Sequence, residues 1–487
     1  MSTAPAPIPV RNPRTGLVDL TLQPPSAEEL DEICARLRAG QLAWEKAGIE
    51  HRAEVMLRWA DEMDKRSDEI IEAERVDTGR FRIPREMVGA TIWSIREWAK
   101  RAPGIVASEA RLGQSSARST VDFASQLRPY QLVGAISPWN QPIVLSTIDA
   151  IPALLAGCAV IVKCSEFAPR FARPLMDAVR AVPELAEVFL FIDGGAETGQ
   201  ALIERVDALC FTGSVPTGRK VAAACAERFI PAFLELGGKD PVIVTATADE
   251  DRAVTAVLRG GVYATGQVCH AIERVYVQRT KYDSFVEKLV HDAEQLQLSY
   301  PDDAQGHVGP FIMARQAEIA DAQLDDAVAK GARILTGGKS EVHGGGVYMR
   351  PTVIVDVTHD MDIMTQETFA PIIPVMAYDT DEEAVRLAND SEFGLSGAVI
   401  AGTLDEARVL GEQIDAGGIT LQDTTLTSAI MLDSEKTSFK ASGLGDSRMG
   451  PSAIMRYYRR KVLITNTTVP VDMADLVEDL PVSAIIR

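Results

Sequence analysis

The stretch VGAISPWNQPIVLSTIDAIPALLAGCAVIV, Val133 to Val162, decides the fold. It is the longest apolar tract of the chain, but Pro138, Asn140, Gln141, Pro142, Asp149 and Pro152 interrupt it. A membrane span needs about 20 consecutive apolar residues, so the tract reads as a series of buried elements. Val133–Ile136 is a short buried strand, Ile143 to Ala156 a helix, and Ala159–Val162 a second strand. Phe189–Ile192 and Ala208–Phe211 repeat the theme with helical stretches between them. Short apolar strands alternating with helices predict a parallel, doubly wound α/β sheet. A second series, Val242–Val244, Arg274–Val277, Tyr348–Val355 and Ala398–Ile400, predicts a second α/β domain.

Before the first series, Ser26 to Arg101 reads as helices, with Leu30, Ile33, Leu37, Leu42, Trp44, Trp59, Met63 and Ile70-Ile71 near helical spacing. Ser119 to Tyr130 and Val462 to Val469 alternate polar and apolar residues. Two such strands with no partner in their own domain predict an arm that pairs with another subunit. A chain of 487 residues is too long for one core, and its net charge of −20 argues against nucleic acid or an anionic membrane as partner. The six cysteines show neither a metal-type CxxC pair nor a disulfide framework, and Met1 to Val10 has no signal-peptide pattern. These features predict a cytoplasmic protein with reduced thiols and no metal.

Chemistry concentrates in a few motifs. Cys269 follows Gly266-Gln267-Val268, and Glu235 stands 34 residues earlier in Leu234-Glu235-Leu236-Gly237-Gly238-Lys239-Asp240. Cysteine is the strongest uncharged nucleophile, and a glutamate beside it can direct water onto whatever the sulfur binds. A lone cysteine is usually packing and a lone glutamate usually surface. A loop-to-helix transition at Cys269 would favour its thiolate, and the apolar neighbours of Glu235 predict burial. Asn140, in Pro138-Trp139-Asn140, could cap a helix starting near Pro142. Phe211-Thr212-Gly213-Ser214 with Gly218 follows a strand and opens a helix, as a pyrophosphate site does, but is neither GxGxxG nor a P-loop. Lys163-Cys164-Ser165-Glu166 emerges at a strand's carboxyl end, where a Lys/Glu pair could also be an ordinary surface ion pair.

Together with Glu367-Thr368-Phe369-Ala370-Pro371, these motifs closely resemble the non-phosphorylating NAD(P)-dependent aldehyde dehydrogenases from about Asn12 to about Lys461. The resemblance implies that family's fold: a Rossmann-like cofactor domain (1–118 and 133–237), an α/β catalytic domain (238–440, with 441–461 returning to the first), and an oligomerisation arm and tail (119–132 and 462–487). It implies Cys269 as nucleophile, Glu235 as general base and Asn140 as oxyanion donor. It gives Trp139, Lys163, Ser165, Glu166, Thr212, Gly213, Ser214, Gly218, Leu236, Gly237, Glu367 and Phe369 to the cofactor. A carboxylate at Glu166 would repel a 2′-phosphate, favouring NAD over NADP. It also implies an aldehyde tunnel lined by Gln141, Val144, Leu145, Ile148, Tyr263, Val268, His270 and the loop Asp423 to Asp433. No lysine or arginine stands among these, which predicts a medium-sized aliphatic or aromatic aldehyde over an anionic semialdehyde. Departures appear at Ser438 to Gly445, at Gln422-Asp423 and at His270, read as a packing residue or thiolate modulator before a substrate contact. Two alternatives stand beside this reading: a CoA-acylating semialdehyde dehydrogenase, and a catalytically silent structural or binding relative. A homodimer or homotetramer is expected.

Overall fold

A computed structural model describes residues 5–109 and 111–476. Four helices fill the amino-terminal region: Ala27–Lys46, Ile49–Lys65, Ser67–Thr78 and Arg82–Ser108. Ser26 opens the first with a reciprocal cap, its hydroxyl accepting from the Glu29 N–H while the Glu29 carboxylate accepts from the Ser26 N–H. One residue differs from its expected face. Leu42 is exposed and Gln41 is buried, donating to the Gly157 carbonyl.

The first sheet runs, edge to edge, Gly443–Leu444, Ala232–Glu235, Ala208–Thr212, Leu132–Ile136, Ala159–Lys163, Phe189–Ile192. All but Gly443–Leu444 are parallel. From Leu132–Ile136 the chain winds outward through Ala159–Lys163 to Phe189–Ile192, then returns to the other side. That reversal creates a crevice outside the carboxyl ends of Leu132–Ile136 and Ala208–Thr212, where open α/β sheets bind ligands. The single helix expected from Ile143 to Ala156 is two, Pro142–Thr147 and Ala150–Ala156. Pro142 and Pro152 both fall in first turns, where a missing N–H costs nothing. Asp149 between them is buried and turns its carboxylate to Arg448 and Arg456.

Leu236 to Lys239 carries the chain straight into the second sheet at Asp240–Val244. Its order is Arg333–Thr336, Thr352–Val355, Ile372–Tyr378, Ile272–Gln278, Asp240–Val244, Ser396–Ile400, Gly418–Leu421. The strand expected over Tyr348–Val355 is split. Gly346–Tyr348 pairs with Glu341–His343 in a hairpin, and Thr352–Val355 joins the large sheet, with Pro351 separating them because it cannot donate to a ladder. The strands expected within Ser119–Tyr130 and Val462–Val469 are Val121–Pro129 and Tyr458–Asn466, which pair with each other antiparallel, and Leu112–Gln114 adds a third strand. Among the described residues no strand pairs with the outer edge of Tyr458–Asn466, and Val462, Leu463 and Ile464 are exposed. Residues 477–487 of the expected tail lie outside the described residues. No helix among the described residues is long and apolar enough to cross a membrane.

Candidate active site

The carboxyl ends of four neighbouring strands in the first sheet lead into Ser137–Asn140, Lys163–Glu166, Thr212–Ser214 and Glu235–Gly237. The amino ends of three neighbouring strands in the second sheet follow Gly238-Lys239, Cys269 and Glu367–Phe369. The two sets meet. The Asn140 amide donates to the Gln267 carbonyl at 3.0 Å, and the Gly238 N–H donates to Glu367 Oε1 at 3.2 Å. A Cβ on Gly238 would lie 2.6 Å from the Cys269 carbonyl oxygen, so only glycine permits this approach.

Cys269 does not open a helix. A 3₁₀ turn, Tyr263–Gly266, precedes it and the strand Ile272–Gln278 follows, so no helix dipole reaches the thiol. The turn holds Ala264, Thr265 and Gly266 at positive φ (55°, 63° and 67°). Burial pushes the thiol up to about 12; Lys436 is the foremost charge drawing it down, while Asp240, Glu235 and Glu367 add to the rise. Asn140 does not cap the helix after it either. The position before Pro142 is Gln141, which makes no side-chain cap bond. Buried Arg80, which sequence reading missed, donates to the Asn140 carbonyl at 2.8 Å and the Ala264 carbonyl at 2.6 Å, tying the asparagine loop to the cysteine turn.

Glu235 is half-buried, and Ser438 Oγ donates to its Oε2 at 2.7 Å. The Glu367 carboxyl lies over the paired glycines, and a Cβ on Gly237 would stand 2.5 Å from Oε2. Burial pushes Glu367 up to about 8, with Glu273 adding to the rise. Phe369, at φ 54°, meets Trp139 edge-on at 5.5 Å. A buried pair holds this loop. Glu273 accepts from the Thr368 and Phe369 N–H groups at 2.7 and 2.8 Å, and Lys239 Nζ donates to Glu273 at 2.7 Å and to Thr368 Oγ1 at 2.8 Å. Lys239 lies inside a quoted motif, but nothing in the sequence showed that its partner is Glu273.

The residues expected at the dinucleotide suit one. Ser214 precedes the helix Val215–Glu227 and makes no side-chain cap bond, so the first N–H groups of that helix keep their capacity for a phosphate. A Cβ on Gly218 would meet Leu236 Cδ2 at 2.5 Å, which packs the helix start against the Glu235 strand. Lys163 is buried and pairs with Glu166 at 3.1 Å, and Ser165 Oγ accepts from the Phe167 N–H at 3.3 Å. Arg448, also missed, donates to Thr212 Oγ1 at 2.9 Å and Asp149 Oδ2 at 2.6 Å. Burial alone would raise Asp149, but Arg448 and Arg456 outweigh it and hold the carboxyl below its usual range.

Gln141, Val144, Leu145 and Ile148 are half-buried at one face of the first short helix, while Leu426 and Ile430 are exposed on the loop expected opposite. The Tyr263 hydroxyl donates to Glu86 at 3.2 Å, and the residue lines a groove of 820 Å³ with Arg80, Ile83 and Leu258. Val268 packs inward with Ala264 and Ala271. His270 Nδ1 is buried with no partner among the described residues, and burial pushes the ring down to about 4. Half-buried Lys436, just past the loop considered, is the foremost charge acting on Cys269 and on His270.

Fold and site together define a class: a doubly wound nucleotide-binding sheet facing a second α/β sheet across a thiol and a carboxylate. The model of the aldehyde dehydrogenase family matches residues 1–463, and the chain belongs to that family. A solved structure from Anabaena variabilis, provisionally described as the aldehyde dehydrogenase PutA, is 46% identical, with a TM-score of 0.93 over 96% of this chain and 99% of that one. A relative from Mycolicibacterium smegmatis, provisionally named an NADP-type succinate-semialdehyde dehydrogenase, is 32% identical over 95% of this chain and 90% of its own. A betaine aldehyde dehydrogenase of Staphylococcus aureus, solved with NAD+, is 26% identical with a TM-score of 0.88, covering 96% of this chain and 93% of its own.

Proposed function

We propose that this aldehyde dehydrogenase oxidises a medium-sized aliphatic or aromatic aldehyde to its carboxylate with NAD, through a thioester on Cys269. The observation that supports the reading most is that Asn140 donates to the Gln267 carbonyl, two residues before Cys269, while Gly238, three residues after Glu235, packs on the Cys269 carbonyl. Cys269 Sγ, once its proton has passed to water or to Glu235, attacks the aldehyde carbon. The Asn140 amide, which has one N–H beyond that given to Gln267, and the Cys269 N–H stabilise the oxyanion; one such donor contributes about 3–4 kcal/mol. A bound nicotinamide supplies the hydride acceptor. Glu235 then takes a proton from water as it adds to the thioester carbonyl, and the sulfur leaves as product forms. NADH formation across an aldehyde panel, with and without CoA, tests this: oxidation without CoA is expected, and strict dependence on CoA would select the acylating alternative.

We assign the cofactor to the first sheet and its helices (1–118 and 133–237), the thiol to the second unit (238–440), and the arm to 119–132 with 462–487. Lys163 and Glu166 would hold the adenine ribose, Thr212, Gly213, Ser214 and Gly218 the pyrophosphate, and Trp139, Leu236, Gly237, Glu367 and Phe369 the nicotinamide side. Glu166 would set a negative charge against a 2′-phosphate. Glu166→Ser is therefore expected to narrow the preference for NAD by about tenfold in kcat/KM, since a like-charge contact of this kind is worth roughly 1–2 kcal/mol. A wild-type enzyme more efficient with NADP overturns this assignment. The reading includes a cytoplasmic location, supported by six unpaired cysteines.

The outer edge of Tyr458–Asn466, unpaired among the described residues and with Val462, Leu463 and Ile464 exposed, supports assembly through the arm into a dimer or a dimer of dimers. Light scattering at micromolar protein is expected to give two or four chain masses, and a strictly monomeric mass refutes the arm's role.

A further inference from the structure

Two backbone carbonyls meet at one buried guanidinium. Arg80 Nη1 donates to the Asn140 carbonyl and Nη2 to the Ala264 carbonyl, while Nε has no acceptor among the described residues. No carboxylate among those residues forms an ion pair with it, so a buried cation is held by backbone dipoles alone. Its place is fixed from behind. The helix Ser67–Thr78 ends at Gly79, whose φ of 65° sets the chain so close to Pro310 that an added Cβ would lie 2.5 Å from the ring. The Arg80 stem follows against Gly309, with Cγ 3.5 Å from where a Cβ would stand there.

The same segment, 309–312, backs the turn before the nucleophile. Thr265 Oγ1 donates to the Gly309 carbonyl at 3.2 Å, Gln267 Nε2 to the Pro310 carbonyl at 3.4 Å, and the Ile312 N–H to Gln267 Oε1 at 3.1 Å. The Gln267 amide is thus held at both ends, and its backbone carbonyl takes one N–H of the Asn140 side chain. With that N–H committed, the plane of the amide sets the direction of the other. The Ala264 carbonyl closes the turn as well, accepting from the Gln267 N–H at 3.1 Å. The oxyanion of the proposed reaction needs two donors, the second Asn140 N–H and the Cys269 N–H, and they stand on different loops. Arg80 spans those loops.

We infer that Arg80 is a positioning residue: by joining the Asn140 loop to the turn before Cys269, it sets the separation of the two oxyanion donors. The inference deepens the proposed function and rests on it. Without the guanidinium, the asparagine loop keeps its bond to Gln267 but loses its tie to Ala264, and a shift of about 1 Å in a reacting geometry can cost about a hundredfold in rate. The loss falls where charge gathers on the aldehyde oxygen. A reagent that takes the sulfur without building an oxyanion should scarcely feel it.

The test compares wild type with Arg80→Ala and Arg80→Lys under saturating NAD, on hexanal or benzaldehyde and, separately, on iodoacetamide. Iodoacetamide gives up iodide at a saturated carbon, so its reaction with Cys269 reads the thiol without the donors. Arg80→Ala is expected to slow the first turnover of NADH, followed by stopped flow, about 10²-fold. KM for the aldehyde and the alkylation rate should each stay within about threefold. Arg80→Lys should keep part of the rate, since its ammonium can still reach one of the two carbonyls. Circular dichroism and NAD titration check that the variants fold, and if the alanine variant does not, the lysine variant decides by the same comparison of turnover with alkylation. A first turnover within about threefold of wild type overturns the inference, as does a loss confined to KM. Alkylation slowed in step with turnover also overturns it, by making Arg80 a modulator of the thiol. Wild-type enzyme inert toward every aldehyde would instead defeat the reaction assigned above.

Discussion

Cys269→Ala is expected to lower aldehyde oxidation by about 10⁴-fold or more while leaving dinucleotide affinity within about threefold. Without the sulfur no bond to the aldehyde carbon forms, and neither Asn140 nor Glu235 can supply one. The other cysteines are no substitute. Cys34, Cys158, Cys164, Cys210 and Cys225 are buried, whereas Cys269 is partly exposed. The residues assigned to the adenine ribose and pyrophosphate stand on the first sheet, so losing one thiol on the second should scarcely disturb them. Steady-state NADH formation and quenching of tryptophan fluorescence on NAD titration measure the two halves. A variant that keeps more than about a hundredth of the wild-type rate defeats the thioester mechanism.

Glu235→Gln is expected to separate the two chemical steps. Glutamine keeps the shape of glutamate, and its amide oxygen can still accept from Ser438, but it cannot take a proton from water. The variant should therefore release a rapid burst near one NADH per site, then turn over slower by about 10²–10⁴-fold. Stopped-flow absorbance records the burst, and mass spectrometry of the quenched protein should find Cys269 acylated. Loss of the burst together with turnover would show that Glu235 acts earlier, on the thiol itself. That outcome has a physical basis, because burial raises the thiol so far that some group must take its proton before attack.

The chain announced its layers more readily than its contacts. Ala159–Val162 and Phe189–Ile192 are short, apolar and bounded by turn residues, and both became strands of a sheet buried under helices. The strand Ile372–Tyr378 was missed although apolar, with Pro374 inside it, and Gly418–Leu421 is too short and mixed to stand out. In the site, Gly237-Gly238 and Thr212-Gly213-Ser214 were legible because local backbone demands write themselves into local sequence. Arg80, Glu273, Ser438 and Lys436 were not. Each acts on a residue far along the chain, as Ser438 does on Glu235, and no periodicity records such a pairing. The helix expected at Cys269 failed for a local reason: the turn Tyr263–Gly266 holds three residues at positive φ, and the strand foreseen from Arg274 already begins at Ile272, which leaves no room for a helix between them.

The crossing at Leu236–Lys239 divides labour within the site. Gly237 has no room for a side chain beside Glu367, and Gly238 none beside the Cys269 carbonyl, so the hub that assembles thiol, base and dinucleotide leaves almost no freedom to vary. Lys436 and the loop with Leu426 and Ile430 are partly or largely exposed and outside both sheets. On the proposed reading, changes there would alter which aldehyde is admitted while the paired glycines keep their places. A scaffold built in this way can pass from one substrate to another in single steps, each leaving a working enzyme.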